Sequence, residues 1–270
     1  MVPFFTSRRF KWQVNSGLLL SSLIAPLLVH AQEDLSAPVA PREVSAAESA
    51  AVGAFSPFTI AARSDTQRTL ARVVGGYEGA SDKALFDTAL EARIMERIAL
   101  RAGGSYLPAS DGFGLRFGGK VDALRQETSG IDLAIAAGYE ATGFNEVAAI
   151  GGQLALGRSF GRILLLANVG YAHGLEQQEE HYASASAAAH YRVTSDVQLG
   201  VDSRFRIDLE RDDDEPPGER EWDLLLGPQV TVAVGPVAVS GGAGLSAQRL
   251  RLETDTKVGA LGQLGVGAAF

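Results

Sequence analysis

The stretch VGALGQLGVGAAF, residues 258–270, places Val258, Leu264, Val266 and Phe270 in one phase and Gly259, Gln263, Gly265 and Gly267 in the other. A period of two is that of a β-strand, whose successive side chains point to opposite faces. Strands in soluble sheets average about 5–6 residues, whereas crossing a tilted bilayer takes about 9–11. This run is long enough to cross, and it carries no charge after Lys257.

The pattern repeats along most of the chain. Alternating segments are expected at 66–77, 84–94, 96–106, 113–126, 130–142, 146–158, 162–173, 181–193, 196–209, 221–234, 237–248 and 257–270. Their connections alternate in length. Short ones fall at Met95, 127–129, 159–161, 194–195 and 235–236, and longer ones at 78–83, 107–112, 143–145, 174–180, 210–220 and 249–256. Tight turns on one side and longer loops on the other are the habit of a transmembrane barrel, and bacterial barrels have an even strand count. We therefore expect an all-β fold, a single antiparallel transmembrane β-barrel of twelve strands; ten is the alternative if the first hairpin is misread.

The longest uncharged stretch, 224–247, has the length of a membrane helix but contains Gly227-Pro228, Gly235-Pro236 and Gly241-Gly242 and alternates at Val230–Val234. A hairpin is the better reading. Because a closed barrel has no free edge and proline donates no ladder hydrogen bond, a bulge is expected at Pro228.

Residues 1–31 read as a signal peptide. Arg8, Arg9 and Lys11 precede an apolar run from Gly17 to Val29, and Val29-His30-Ala31 has the small residues of a cleavage site. Removing them would take three cations and no acid, so net charge would move from −8 to −8 − 3 = −11. Such an acidic exported chain is a poor partner for nucleic acid, whose phosphates it repels. Residues 32–65, rich in Ala, Ser and Pro, read as a flexible periplasmic segment. The absence of cysteine excludes disulfides, thiolate metal sites and a lipid-modified cysteine. The domain plan is thus signal peptide 1–31, flexible segment 32–65 and barrel 66–270.

Charge sorts the two faces. In 196–209, Val197, Leu199, Val201, Phe205, Ile207 and Leu209 share a phase opposite to Gln198, Asp202, Arg204, Arg206 and Asp208. A Lys or Arg at the lipid midplane costs about 2–4 kcal/mol, so the charged phase must face the lumen. The same sorting places Asp87, Glu91, Arg93, Arg97, Arg101, Arg116, Lys120, Asp122, Gln126, Asp132, Glu140 and Asp223 inside. Strands 146–158, 162–173, 181–193, 237–248 and 257–270 are expected to present mainly Ala, Gly, Ser, Asn and Gln to the interior. One wall is charged and the other small and smooth. Tyr77, Tyr106, Tyr139, Phe144, Tyr171 and Trp222 fall near strand ends, where interfacial aromatic girdles sit.

Catalytic and metal sites are weakly supported. Ser186 and His190 lie four residues apart in one strand, about 13 Å, too far for a dyad within it. The acidic run Asp212-Asp213-Asp214-Glu215 lacks the spaced ligands of a calcium loop and reads as a solvated loop. No enzyme activity, cofactor or metal is expected.

Over residues 66–270 the chain resembles bacterial outer-membrane β-barrel proteins as a superfamily. The resemblance implies residence in the cell outer membrane, contact with its lipid and lipopolysaccharide, and recognition by the barrel-assembly machinery, for which the terminal Phe270 would be the signal. The expected function is a passive narrow channel for small polar or charged solutes. The alternative is a non-conducting surface barrel acting through its acidic extracellular loops.

Overall fold

A computed structural model describes residues 69–107, 112–142, 147–175, 181–209, 220–250 and 253–269. The signal peptide, the 32–65 segment, Phe144, Glu176–Glu180, the 212–215 acidic run and Phe270 lie outside the described residues.

Twelve strands form one closed sheet: β1 (Thr69–Glu78), β2 (Lys83–Met95), β3 (Ile98–Leu107), β4 (Gly112–Leu124), β5 (Asp132–Thr142), β6 (Val147–Phe160), β7 (Ile163–Gly174), β8 (Tyr182–Arg192), β9 (Val197–Asp208), β10 (Arg220–Val234), β11 (Val237–Leu250) and β12 (Lys257–Ala269). Every neighbour in sequence is an antiparallel neighbour in space, and β12 pairs with β1 to close the ring, Leu70 opposite Ala269 and Glu78 opposite Leu261. Closure leaves no strand edge, which is the condition for sheet in hydrocarbon, where an unpaired backbone group has no water to bond. Each expected strand corresponds to one observed strand.

The outer surface is an apolar band. Ile94, Leu100, Phe117, Ile135, Ile150, Leu154, Val169, Leu199, Val201, Leu245 and Leu264 are exposed on it. In a water-soluble domain so much contiguous exposed hydrocarbon would be an association liability; in a bilayer it is the solvated side. Tyr77, Tyr139 and Tyr171 are exposed near one rim, and there Trp222 and Phe205 lie with ring centroids 6.3 Å apart. These form the aromatic border on the loop side.

Four details depart from the sequence reading. The β2–β3 connection is the pair Glu96-Arg97, not Met95 alone, and a register shift between Arg93 and Met95 absorbs the extra residue. Strand β4 stops at Leu124, and a single helical turn, α1 (Gln126–Ser129), follows and ends at Gly130 with φ 76°. Gln126 therefore does not line the lumen. Its side chain is stitched to the next turn, Nε2 donating to Ser159 O and Oε1 accepting from Ser159 N, both at 2.8 Å.

The third concerns Pro228. Leu226 pairs with Leu245 and Gln229 with Gly242, so the β10–β11 ladder resumes in unchanged register without a bulge there; the irregularity lies at Arg220/Trp222. Glycine makes this work. A Cβ on Gly244 would stand 2.6 Å from Gly227 Cα, so the two backbones lie too close for any side chain between them. Lastly, the β7 interior is not wholly small: Leu164 and Leu166 point inward and pack against Ala188 at the short-turn end. The Ile163–Leu166 run is apolar in both phases, so period two carried no signal for it.

Candidate functional site

The inner wall carries an ordered charge ladder on β1–β4. Alternation puts Arg72 of β1, Asp87, Glu91 and Arg93 of β2, Arg101 of β3, and Arg116, Lys120 and Asp122 of β4 on one face. Arg72 Nη2 meets Asp87 Oδ1 at 2.7 Å, and Arg116 reaches the other oxygen of the same carboxylate. Glu91 is shared in the same way by Lys120 (2.7 Å) and Arg101 (3.2 Å), and Asp122 takes Arg93 at 3.3 Å. Bonds between β2 and β4 skip a strand, which is geometrically open only to side chains inside the cylinder.

These groups are withdrawn from solvent: the Lys120 side chain is 1% exposed and that of Asp122 2%. Desolvating a charge is tolerated when it is paired, and two of the three acids here bridge two cations each. These pairs join five cations, Arg72, Arg93, Arg101, Arg116 and Lys120, to the carboxylates of Asp87, Glu91 and Asp122.

A second knot lies across β8–β10. Asp223, 0% exposed, accepts from Arg204 Nη2 at 2.7 Å and from Arg206 Nε at 2.9 Å. His190 Nε2 stands 2.8 Å from Asp202 Oδ1, at ion-pair separation but outside hydrogen-bond alignment. Arg206 also lies over the Tyr182 ring, 5.4 Å from its centroid.

Among the sequence-derived candidates, Asp87, Glu91, Arg93, Arg101, Arg116, Lys120, Asp122, Asp202, Arg204, Arg206 and Asp223 take part in these inner clusters. Asp132 is buried at the short-turn end, accepting from Gln126 N at 2.8 Å. Glu140 sits opposite Arg116 in the β4–β5 register and Asp208 opposite Tyr182 in that of β8–β9. Arg97 is the exception: it is exposed in the Glu96-Arg97 turn, outside any strand. The sequence shows no glycine or proline there, so nothing marked the turn, and the strand phase was run through it.

The sequence reading passed over Arg72, the one cation of β1, because that strand was not sorted. It expected Asn and Gln on the inner faces of several strands but not that they line up as a mid-strand belt. Gln153, Asn168 and Gln229 are buried on the inner faces of β6, β7 and β10, and Gln263 belongs to the same belt on β12. A cavity of about 60 Å³ is lined by Arg101, Arg116, Gln153, Tyr182 and Ser184 together with glycines of β3–β7. Gly118, Gly138 and Gly151 stand in direct register across β4, β5 and β6 and leave that wall without side-chain volume.

His181, beside the catalytic candidates in sequence, does not join them. It pairs with His173 at the loop-side rim, Nδ1 to Nδ1 2.6 Å, with stacked rings.

A closed antiparallel barrel with an apolar exterior and an ion-paired interior is a fold this chain shares with bacterial outer-membrane β-barrel proteins. Solved structures carry the likeness. The KdgM porin in complex with disordered oligogalacturonate aligns over 75% of this chain and 99% of its own, with TM-score 0.50 and 9% identity. An outer-membrane channel from Pseudomonas putida F1 aligns over 77% of this chain and 97% of its own, with TM-score 0.51 and 13% identity. No protein-family model and no curated protein sequence matches the chain.

Proposed function

We propose that this protein is a narrow outer-membrane channel for small polar solutes, with a preference for anions. The observation that carries the reading is the β1–β4 ladder, where Arg72, Arg93, Arg101, Arg116 and Lys120 line one inner wall in ion pairs with Asp87, Glu91 and Asp122. A cation-lined wall with a low-dielectric exterior concentrates anions and repels cations of similar size. The facing wall of Gly, Ala, Ser and amides supplies width without charge. Twelve strands stand between barrels filled by side chains and the 16–18-stranded open porins, which suits a narrow passage. The outer band is in this account covered by lipid and lipopolysaccharide.

Purified protein in planar bilayers tests the proposal. Discrete single-channel currents in KCl are expected, and Lys120→Gln should lower the anion preference while leaving Glu91 held by Arg101. Folded protein that inserts and never conducts would refute the channel reading.

A further inference from the structure

We propose that His173 and His181 form a two-imidazole chelating site for a divalent transition-metal ion of the Zn²⁺ or Cu²⁺ class, at the loop-side rim of the barrel. The proposal goes beyond the channel reading and does not depend on it. In sequence the two stand eight residues apart across the β7–β8 connection, outside the gap of about three to five residues usual for paired zinc-binding histidines. Strand pairing brings them together. Ala172 stands opposite Tyr182, and one step further along each chain His173 meets His181. Their Nδ1 atoms lie 2.6 Å apart, with ring planes within 17° of each other and centroids 4.2 Å apart. His173 shares the outer phase of β7 with the exposed Tyr171, whose ring lies parallel to that of His181 at a centroid separation of 6.5 Å. The pair therefore faces outward.

Both rings stand on held backbone. His173 is paired with Ile150 in the β6–β7 ladder, and the His181 carbonyl accepts from Leu209 N at 2.7 Å on its other side. Ligands mounted on paired strands keep their spacing, which is the condition for chelation. The contact between the rings is exposed. An exposed hydrogen bond adds little to stability, because water satisfies each ring in its absence. Folding therefore does not require two imidazoles at this place.

The contact between the nitrogens selects the ligand. Whichever ring donates, the other presents the lone pair of a neutral imidazole, the form that binds metals. An anion would need both nitrogens protonated, two donors set head to head. A metal ion instead takes the place of the shared proton and is held by both lone pairs. At a Zn–N distance of about 2.0–2.1 Å and a tetrahedral angle, the two nitrogens stand about 3.3 Å apart, so the rings need to part by less than about 1 Å. Imidazole nitrogen suits Zn²⁺, Cu²⁺ and Ni²⁺, whereas Mg²⁺ and Ca²⁺ take oxygen ligands. Among the described residues no group of three His, Asp or Glu converges on one point. Water then fills the remaining positions, and the ion ties β7 to β8 while staying exchangeable.

Cu²⁺ titrated into the intact, tag-free protein in detergent micelles, followed by electron paramagnetic resonance, tests the site, with Zn²⁺ and Mg²⁺ as competitors. One Cu²⁺ per chain should bind and show the hyperfine lines of two ring nitrogens. Zn²⁺ should displace it and Mg²⁺ should not. His173→Asn and His181→Asn, each at the exposed rim, should weaken binding by about tenfold or more and lose the two-nitrogen pattern. In urea unfolding, Zn²⁺ at a hundred times its dissociation constant should raise the folded-to-unfolded ratio of the unaltered protein about a hundredfold, and that of either variant by no more than about tenfold. Absence of binding, binding as tight in both variants, a spectrum without ring-nitrogen lines, or displacement by Mg²⁺ as readily as by Zn²⁺ overturns the inference. None of these outcomes bears on KCl conductance, so the channel reading is tested apart.

Discussion

Val258 and Leu264 offer a depth gauge for the membrane. Both lie on the outer face of β12, with nearly equal exposure of 65% and 62%. Val258 is near the loop-side end of the strand and Leu264 near its middle. At about 3.3 Å rise per residue and a tilt of about 40°, each residue climbs about 2.5 Å along the membrane normal. The six-residue separation therefore puts Leu264 about 15 Å deeper, at the hydrocarbon midplane. Arginine costs about 2–4 kcal/mol at the midplane and about 0–1 kcal/mol near an interface. Leu264→Arg should lower the folded-to-unfolded ratio by roughly 30- to 900-fold, and Val258→Arg by less than tenfold. Urea unfolding in phospholipid vesicles, followed by Trp222 fluorescence, reads both. If the band faced a protein core, depth along the strand would carry no such gradient. Equal costs at the two positions, or a larger cost at Val258, would refute the lipid-facing assignment.

Other expectations concern the interior and the turns. Asp223→Ala strips Arg204 and Arg206 of their shared buried carboxylate and should cost about 3–5 kcal/mol, the range for breaking a buried ion pair, in the same unfolding assay. Gly244→Ala must push β10 and β11 apart at Gly227, for a loss of about 1–3 kcal/mol seen as a lower unfolding midpoint; an unchanged midpoint would contradict the close approach. Gln126→Ala removes both bonds to Ser159 and should cost about 1–3 kcal/mol, with faster amide exchange confined to the β4–β5 and β6–β7 turns.

Much of this architecture is legible in the sequence because a membrane barrel obeys a simple rule: lipid on one face and polar groups on the other force period two on nearly every strand. The 196–209 segment shows it, where Leu199, Val201 and Phe205 are exposed outside while Asp202 is buried inside. Positions escape the rule where the backbone breaks its count. Arg97 left the lumen because a bulge at Arg93/Met95 and a turn without glycine shifted the strand end. Gln126 left it because α1 replaced the last residues of the expected strand. Leu164 and Leu166 were hidden in an apolar run with no alternation to read. The pairings Arg72–Asp87–Arg116 and Arg101–Glu91–Lys120 depend on register between strands, a non-local quantity that no single segment encodes. Likewise Gln229 and Gln263 become one belt only once β11 places Gly242 between them.

The most direct measurement is the reversal potential of the reconstituted protein under a tenfold KCl gradient. The cations of the β1–β4 wall predict a potential displaced toward the chloride equilibrium value, moving back toward zero in Lys120→Gln. A potential on the potassium side, unmoved by that substitution, would contradict the account.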